Sequence, residues 1–297
     1  MICTIDPCEK ETRNNDPFTS KVAVITGGSR GIGFNTAKAL VDRGVKVVIG
    51  DILDKEGNEA VKELNEKAGK QVAAFIHTDV TKYNDLLSLF ELADKSFGSV
   101  DIAILNAGIT GVSGGGVFTP LDDDGDMFLH EVNMGGVIKG DKVALLYMGK
   151  KQDQGGVIIN IASMAVPVLS SYTASKHAVV GWTRSLANMK AICNVRVNAV
   201  KKPQNLEATP STKMEYIVQA MLKCMEDTSL SGDLVLALPD GIYVQPNYVP
   251  PGDDHIHIND EKSSISPEFI EKYPKIQQGA INWGKKKLKE AIQLADL

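Results

Sequence analysis

Residues 22–33 read VAVITGGSRGIG, and this stretch decides the fold. The β-branched run predicts a buried strand, and the pattern from Gly33 onwards predicts a helix. The glycines between them let the backbone turn tightly and let phosphate groups approach without a Cβ in the way. The helix that follows offers free N–H groups and the positive end of its dipole to a pyrophosphate. The stretch therefore predicts a dinucleotide-binding loop between a strand and a helix.

Further apolar runs follow along the chain, and helical patterns separate them. The runs occupy residues 46–51, 72–80, 100–108, 155–163, 194–200 and 232–238. The helical patterns lie at 33–43, 55–67, 84–97, 125–151, 172–190 and 213–226. Strict alternation of helices with continuously apolar strands is typical of a parallel sheet covered on both faces. We therefore predict an α/β fold of the Rossmann type, a doubly wound, mostly parallel, seven-stranded sheet with helices on both faces.

Composition excludes several classes of protein. The chain has 297 residues, a formal net charge of -5 and 43% hydrophobic residues. Mild acidity without basic clusters argues against a nucleic-acid partner. No apolar run approaches the roughly 18 residues that a membrane span requires. His255 and His257 have no evident third ligand, so we predict no metal site. Four cysteines are interpreted as reduced thiols of a cytoplasmic protein: Cys3, Cys8, Cys193 and Cys224.

A carboxylate closes the second predicted strand, where Asp51 follows Gly33 by 18 residues. Such a carboxylate accepts both hydrogen bonds from an adenosine ribose diol and repels a 2′-phosphate, which favours NAD(H) over NADP(H). Arg30 argues the other way, since a cation in this loop attracts a 2′-phosphate. NADP(H) is therefore the less favoured alternative. The candidate cofactor-binding residues of the loop are Gly27, Ser29, Arg30, Gly31, Ile32 and Gly33.

Ligands of open α/β sheets bind in a crevice beyond the carboxyl ends of the strands. The residues after two other strands are therefore expected to line the same crevice as the glycine-rich loop. Asp79 and Val80 follow one strand, where they can bound an adenine ring. Asn106, Ala107 and Gly108 follow another and are small enough for backbone to approach a ribose. All five residues join the candidate cofactor site.

Tyr172 and Lys176 are four residues apart and share one face of a predicted helix. A phenol has an ordinary pKa near 10, and a nearby ammonium lowers it. A tyrosine with a lowered pKa gives a proton to a ketone or takes one from an alcohol, as hydride transfer to or from nicotinamide requires. Ser163 ends a strand on the same side of the sheet and can hold the substrate oxygen.

These motifs, in this order along the chain, resemble the short-chain dehydrogenase/reductase family. They are TGGSRGIG, the strand-ending Asp51, the TDV and NAG turns, Asn133 in EVNMGGV, Ser163 and YTASK. The resemblance covers about residues 20–245 and is strongest to the 15-hydroxyprostaglandin dehydrogenase-like group, through SKHAVVGWTRSLA and the segment ending in LPDGIYV. It implies an NAD-dependent oxidoreductase that interconverts an apolar secondary alcohol and its ketone. It also implies a homodimer or homotetramer, formed through the helix that begins at Tyr172 and the one before the fifth strand.

The resemblance implies a role for each catalytic residue. Tyr172 is the general acid–base, and Lys176 lowers the pKa of Tyr172 and binds the nicotinamide ribose. Ser163 orients the substrate oxygen, and Asn133 holds a water that extends a proton relay from Lys176. Asn133 has a second interpretation, as a helix-interior residue that satisfies backbone groups.

Two departures from the family pattern bear on activity. Ser163 and Tyr172 are only nine residues apart, which is shorter than the usual spacing. After RVNAV the chain continues KKPQ, so the usual Pro-Gly turn is absent and the segment that covers the substrate is nearly gone. These departures leave open a cofactor-binding protein with little or no catalysis. Arg30 leaves open an NADPH-dependent ketone reductase.

We predict three segments along the chain. They are a flexible leader at 1–20, a single cofactor-binding and catalytic domain at 21–245, and an extension at 246–297. In the extension, Ile281, Leu288 and Ile292 recur at helical spacing. They predict an amphipathic helix that either packs on its own domain or contacts another subunit.

Overall fold

The computed structural model of the chain describes residues 16–110, 123–151, 154–164, 169–202, 212–247 and 267–295. Some of the predictions above concern residues outside these ranges. They are most of the leader at 1–20, the loop that follows Met164, the segment that follows Lys202, and the histidines at 255 and 257.

The strands form one sheet in the order β3-β2-β1-β4-β5-β6-β7-β8. Neighbouring strands from β1 to β7 pair in parallel. Their bounds are β1 Val22–Thr26, β2 Lys46–Asp51, β3 Ala73–His77, β4 Ile102–Leu105, β5 Gly156–Ser163, β6 Val195–Lys202, β7 Leu234–Leu238 and β8 Gly241–Gln245. The predicted α/β class with a doubly wound, mostly parallel sheet is confirmed.

The predicted number of strands is wrong, because the described residues already form a sheet of eight strands in place of seven. Pro239 and Asp240 make a two-residue turn, and β8 returns antiparallel to β7 with Gly241 opposite Leu238. A tight turn of this kind joins antiparallel neighbours directly, whereas each parallel pair needs a long crossover. The extra strand therefore lies at the outer edge and leaves the parallel arrangement intact.

Helices connect the parallel strands. Their bounds are α1 Gly31–Val41, α2 Asp54–Ala68, α3 Tyr83–Phe97, α4 Asp123–His130, α5 Gly136–Gly149, α6 Ser170–Ser185, α7 Met189–Cys193, α8 Met214–Glu226 and α9 Pro267–Leu294. A π-turn at Glu131–Gly135 separates α4 from α5, so the single helix predicted at 125–151 is interrupted. The helix predicted at 172–190 ends at Ser185, and the short α7 follows it.

The core lies on both faces of the sheet. Alternate residues of β1 pack in different layers, with Val24 in the layer of α3 and α5 and Ile25 in the layer of α1 and α8. All of β1 is buried, which is why its sequence is continuously apolar and does not alternate with polar residues.

The strand order reverses at β1, which lies between β2 and β4. The chain crosses from the β3 edge back to β4, so the connections after β1 and β4 leave the sheet in opposite directions and open a crevice at their carboxyl ends. Gly27 directly follows β1, and Asn106 directly follows β4. Both predicted cofactor segments therefore lie at the switch point of the sheet.

The C-terminal helix α9 packs against α5 and α7. Gly149 at the end of α5 approaches so closely that a Cβ there would lie 3.0 Å from Leu288 Cδ2. Ile192 in α7 similarly contacts the helix at Gly284. The amphipathic helix predicted in the extension thus packs on its own domain. Among the described residues, no helix is long and apolar enough to cross a membrane.

Candidate active site

The glycine-rich loop depends on close backbone contacts. Gly27 has a φ of +64°, and a Cβ there would lie 2.9 Å from Ala107 Cα. A Cβ on Gly33 would lie 2.3 Å from the Gly27 carbonyl oxygen. Both contacts involve backbone atoms that cannot swing away, so side chains are excluded at both positions. The absence of side chains at Gly27 and Gly33 therefore lets the backbone at the start of α1 pack directly against the backbone that follows β1.

The Asp51 carboxylate is anchored by two backbone N–H groups. Its Oδ2 accepts a hydrogen bond from Ser29 N at 3.1 Å, and its Oδ1 accepts one from Leu53 N at 3.2 Å. Each carboxylate oxygen has further lone pairs that can accept a bond from a ribose hydroxyl. The Ser29 Oγ, within the same loop, is buried and has no hydrogen-bond partner. Arg30 is exposed at the N-cap of α1, where its side chain makes no capping hydrogen bond.

Hydrogen bonds tie the NAG turn to the glycine-rich loop. Asn106 Nδ2 donates to the carbonyl oxygens of Thr26 and Gly27, at 3.1 and 2.7 Å. In return, Thr26 Oγ1 accepts the N–H groups of Asn106 and Ala107. Thr26 was not among the predicted site residues, because its only signal in the sequence is its place as the last residue of β1. The two segments that the sequence assigned to one crevice are thus in direct contact.

Asp79 and Val80 lie at the end of β3 and make different contacts. Asp79 Oδ1 accepts hydrogen bonds from the backbone and the hydroxyl of Thr81, and Lys82 Nζ lies 3.2 Å from Oδ2. Burial raises the pKa of Asp79, but these hydrogen bonds outweigh it and leave the pKa below its usual value. Val80 packs against Gly136 at the start of α5. Next to this pair, after β2, Ile52 exposes 60% of its surface.

Asn133 lies in the π-turn and is fully buried. Its Oδ1 accepts the N–H of Ile109 at 2.8 Å, and its Nδ2 donates to the Ile109 carbonyl at 2.8 Å and to Ser175 Oγ at 3.1 Å. Its side chain therefore satisfies backbone groups, as the second interpretation of Asn133 states. π-turns inside helices are frequent at functional sites. The role of Asn133 in holding a water stays a prediction.

Lys176 Nζ is buried and donates a hydrogen bond to the Ile161 carbonyl at 2.8 Å. A Cβ on Gly108 would lie 3.3 Å from this nitrogen and 3.0 Å from Asn133 Oδ1, so the ammonium lies directly beside the NAG turn. Burial, and to a smaller extent the positive charge of Lys202, together lower the pKa of Lys176 to about 8. Lys176, Asn133 and Gly108 thus form one compact group.

Tyr172 and Ser163 lie close enough for the serine hydroxyl to lower the pKa of the phenol, despite the short loop between them. Burial raises the pKa of Tyr172 above its ordinary value, and the Ser163 hydroxyl offsets only part of this effect. The pKa thus moves opposite to the direction that the spacing of Tyr172 and Lys176 predicts. Lys176 Nζ points to the Ile161 carbonyl and lies 5.9 Å from the centre of the Tyr172 ring. Its effect on the phenol is accordingly small compared with desolvation.

The site contains one more cation that the sequence analysis did not select. Lys202 ends β6 directly opposite Ser163, and its carbonyl oxygen lies 3.2 Å from Ser163 Oγ. Its only signal in the sequence was the absence of the Pro-Gly turn at this place. Within the described ranges, no group of three or more histidine, cysteine or acidic residues is arranged to hold a metal ion.

Comparisons with known proteins agree on the family. Residues 21–215 match the short chain dehydrogenase family. Zerumbone synthase of Zingiber zerumbet is 32% identical over 240 residues, which cover 77% of this chain and 84% of that enzyme. The 15-hydroxyprostaglandin dehydrogenase (NAD(+)) of Macaca fascicularis is 36% identical over 187 residues, which cover 62% of this chain and 66% of that enzyme.

Solved structures similar to this chain include a member of the same family. A short chain dehydrogenase from Mycobacterium smegmatis superposes with a TM-score of 0.66 at 26% identity, covering 77% of this chain and 96% of that one. An actinorhodin polyketide ketoreductase solved with NADPH has the same TM-score of 0.66 at 24% identity, covering 74% and 96%, and shares the fold. The glycine-rich loop, the NAG turn and the tyrosine helix all lie within the matched residues. The chain therefore belongs to the short-chain dehydrogenase/reductase family.

Proposed function

We propose that this chain interconverts a secondary alcohol and its ketone with NAD(H), using Tyr172 as the general acid–base. Family membership already implies an oxidoreductase that binds a nicotinamide cofactor. The observation that carries the finer proposal is an arrangement at one sheet edge. Asp51 lies beside the glycine-rich loop, and Tyr172 lies beside Ser163, whose hydroxyl lowers the pKa of the phenol. The carboxylate of Asp51 suits the hydroxyl groups of an adenosine ribose, and the pair Tyr172 and Ser163 suits an alcohol or ketone oxygen.

The residues of the loop fit a dinucleotide. Gly33 keeps the backbone clear where a pyrophosphate would lie, and the buried Ser29 Oγ lacks a partner that a phosphate oxygen would supply. Asp51 would bind the ribose diol, and its charge would repel a 2′-phosphate. Ile52, the next residue, brings no positive charge to this place. Arg30 is the feature that supports NADPH, and it keeps the NADPH-dependent reductase as the second candidate.

Tyr172 would exchange a proton with the substrate oxygen. The bound cofactor supplies the hydride acceptor or donor. For ketone reduction, the phenol gives its proton to the carbonyl oxygen as the carbonyl carbon gains a hydride. For alcohol oxidation, the phenolate takes the hydroxyl proton. Because burial raises the pKa of Tyr172, the phenol carries a proton at neutral pH that it can donate in ketone reduction.

Ser163 and Lys176 would orient the reacting groups. Ser163 Oγ is within reach of two carbonyl oxygens, those of Met164 and Lys202, and of the Tyr172 phenol, so its position is fixed. The substrate oxygen would take the place between Ser163 and Tyr172. Lys176 uses one N–H on Ile161, and its other N–H groups would bind the nicotinamide ribose. Asn133 would keep Ile109 and the NAG turn in register with this lysine.

A matched pair of tyrosine variants tests the assignment. Tyr172→Phe removes only the proton donor, so turnover should fall by about 10²–10⁴-fold while the Kd for NADH changes by less than about twofold. Tyr147→Phe alters another buried tyrosine, one that packs on Phe90 away from the sheet edge, and turnover should persist. The assay is ketone reduction followed through NADH absorbance, with NADH and NADPH affinities measured by fluorescence titration. Unchanged turnover in Tyr172→Phe would remove the tyrosine from its role.

The same titrations separate the competing functions. A preference for NADPH would replace the NAD assignment by the NADPH-dependent reductase. Tight NADH binding without turnover on any of a panel of secondary alcohols and ketones would leave a cofactor-binding protein without catalysis. A cytoplasmic location and a homodimer or homotetramer complete the proposal, and Cys193 and Cys224 are free buried thiols, as such a location requires.

A further inference from the structure

Lys202 lies at the chemical end of the site because of its register with Ser163. The two residues are partners in the parallel pairing of β5 and β6. Partners in adjacent parallel strands project their side chains to the same face of the sheet. The Lys202 carbonyl also accepts hydrogen bonds from Met164 N at 3.0 Å and from Ser163 Oγ at 3.2 Å. The lysine side chain therefore starts from the strand position nearest to the residue that holds the substrate oxygen.

The charge of Lys202 has no partner among the residues that the structure describes. Its side chain is half-buried, and no described residue forms a hydrogen bond or an ion pair with its ammonium group. Burial lowers the pKa of Lys202, and its charge contributes to the lowered pKa of the neighbouring Lys176. Two ammonium groups thus share one partly desolvated crevice, an arrangement that costs free energy until an anion joins them.

Among the described residues, no carboxylate at this sheet edge forms an ion pair with Lys202. Asp240 follows β7, the neighbour of β6, and its Oδ2 accepts a hydrogen bond from the Tyr243 hydroxyl at 3.1 Å. Asp51 accepts the N–H groups of Ser29 and Leu53, and Asp79 is bound by Thr81 and Lys82. They also lie at the ends of β2 and β3, whereas Lys202 ends β6 on the other side of the switch point. Among the described residues, no carboxylate thus supplies the anion that would pair with Lys202, and a ligand can supply it.

The diphosphate of the cofactor is out of reach for this lysine. The glycine-rich loop follows β1, and β6 lies three strands away in the order β1-β4-β5-β6. At about 4.8 Å per strand, the separation is roughly 14 Å. A lysine side chain with its four-carbon stem extends only about 6 Å. A substrate held at Ser163, on the neighbouring strand, is within that reach.

We infer that Lys202 binds a carboxylate of the substrate, so that the enzyme acts on a hydroxy acid or the corresponding oxo acid. The inference rests on the proposed function and replaces the purely apolar substrate that the family resemblance implies. According to this inference, the substrate carboxylate and the reacting carbon are separated by no more than about the length of one lysine side chain. Lys202 would then select the substrate, whereas Tyr172 carries out the proton transfer.

Binding of simple carboxylates to the NADH-saturated protein tests the inference. The probes are acetate, benzoate and octanoate, with benzyl alcohol as the neutral counterpart of benzoate, and the readout is isothermal titration calorimetry. Lys202→Met should weaken carboxylate binding by at least about tenfold and leave benzyl alcohol binding unchanged. Lys202→Arg keeps the charge and should stay within about threefold of the original protein. Because Ser163 is held by the main chain of Lys202, these variants retain that hydrogen bond.

Lys201→Met is the matched control. Lys201 is paired with Ala162, so its side chain projects from the other face, and carboxylate binding should persist. The inference is overturned if no probe carboxylate binds, or if Lys202→Met binds carboxylates with unchanged affinity. It is also overturned if Lys202→Met loses affinity for NADH in place of carboxylates, because the lysine would then bind the cofactor. Failure of the original protein to bind either cofactor would instead overturn the proposed function, so the two failures are distinguishable.

Discussion

Burial shifts the pKa values of several residues in this protein towards their neutral forms. It raises the pKa of Tyr172, lowers that of Lys176 to about 8, and raises that of Asp141 to about 7. The first two belong to the candidate active site, where a neutral phenol suits proton donation. Asp141 lies in α5, away from the sheet edge, so its altered pKa affects the stability of the fold.

Asp141 is fully buried and forms a polar cluster with residues of α6 and β5. Its Oδ2 accepts hydrogen bonds from Trp182 Nε1 at 2.6 Å and from Asn160 Nδ2 at 3.1 Å. Its Oδ1 and the Oδ1 of Asn160 are both buried without a partner. A proton on Asp141 Oδ1 would supply a donor in a cluster that has two unsatisfied acceptors. The cluster therefore suits the protonated carboxyl, in agreement with the raised pKa.

Asp141→Asn should remove a pH dependence of stability. Because the folded pKa is about 7 and the ordinary value is 3.8, the folded state binds the proton more tightly between these values. The contribution of this carboxyl is therefore full below pH 3.8 and is lost as the pH rises towards 7, by up to about 1.4 kcal/mol per pH unit. The amide supplies the same donor at every pH. Its free energy of unfolding should exceed that of the original protein at pH 8, and the difference should shrink towards pH 4.

Denaturant unfolding at pH values from 4 to 8 measures this difference. Trp182→Phe provides a second comparison, since it removes a hydrogen bond that lowers the pKa of Asp141. It should shift the pH-dependent loss to higher pH. A difference between Asp141→Asn and the original protein that is constant from pH 4 to 8 would show that Asp141 does not titrate there.

At the scale of elements, buried strands were the easiest to predict. Runs such as that of β1 are apolar throughout, and their ends coincide with glycine or a polar residue, so the sequence alone defines them. The π-turn was missed because its geometry depends on Asn133 contacting Ile109, a residue 24 positions earlier. Strand β8 was missed because it is paired on one edge only, and its half-exposed residues lack the continuous apolar pattern of the inner strands.

In the candidate site too, residues that one element carries were easier to predict than contacts between elements. Tyr172 and Lys176 could be selected because one helix carries both at a characteristic spacing. The contact between Lys202 and Ser163 depends on the pairing of two strands that lie 39 residues apart in sequence. Likewise, Thr26 gains its role only when β4 lies beside β1. Spacing along one element is visible in a sequence, whereas contacts between elements require the assembled sheet.

Two glycine substitutions in helices separate close packing from helix propensity. Gly33→Ala in α1 places a Cβ 2.3 Å from the Gly27 carbonyl, which should destabilise the fold by about 1–3 kcal/mol and weaken NADH binding at least about tenfold. Gly181→Ala in α6 meets no atom within 4 Å and should stabilise the fold by about 0.5–1 kcal/mol. Thermal unfolding and fluorescence titration with NADH measure both effects. Normal NADH affinity in Gly33→Ala would show that the loop tolerates a side chain.

At the scale of the whole molecule, α9 and the candidate site lie at opposite ends of α5. The helix starts at Gly136, next to Val80 and the π-turn, and ends at Gly149, where Leu288 and Ile292 pack. With a rise of 1.5 Å per residue, its length is about 20 Å. Helix α9 therefore covers a surface of the domain that is remote from the carboxyl ends of the strands. It adds buried apolar area and contributes no residue to the site described.

Stability and cofactor binding should accordingly respond differently to changes in α9. Leu288→Ala removes a partly buried side chain that packs between α9 and the end of α5, and should lower the free energy of unfolding by about 1–2 kcal/mol. Leu294→Ala, in the same helix, changes a side chain that is 88% exposed and should change stability by less than about 0.5 kcal/mol. Both variants should bind NADH with the original Kd, because the contact lies about 20 Å from the site. Denaturant unfolding and NADH titration of the two variants check these outcomes. A loss of NADH affinity that parallels the loss of stability in Leu288→Ala would mean that α9 also maintains the cofactor site, and its contact with α5 would then be part of the catalytic architecture.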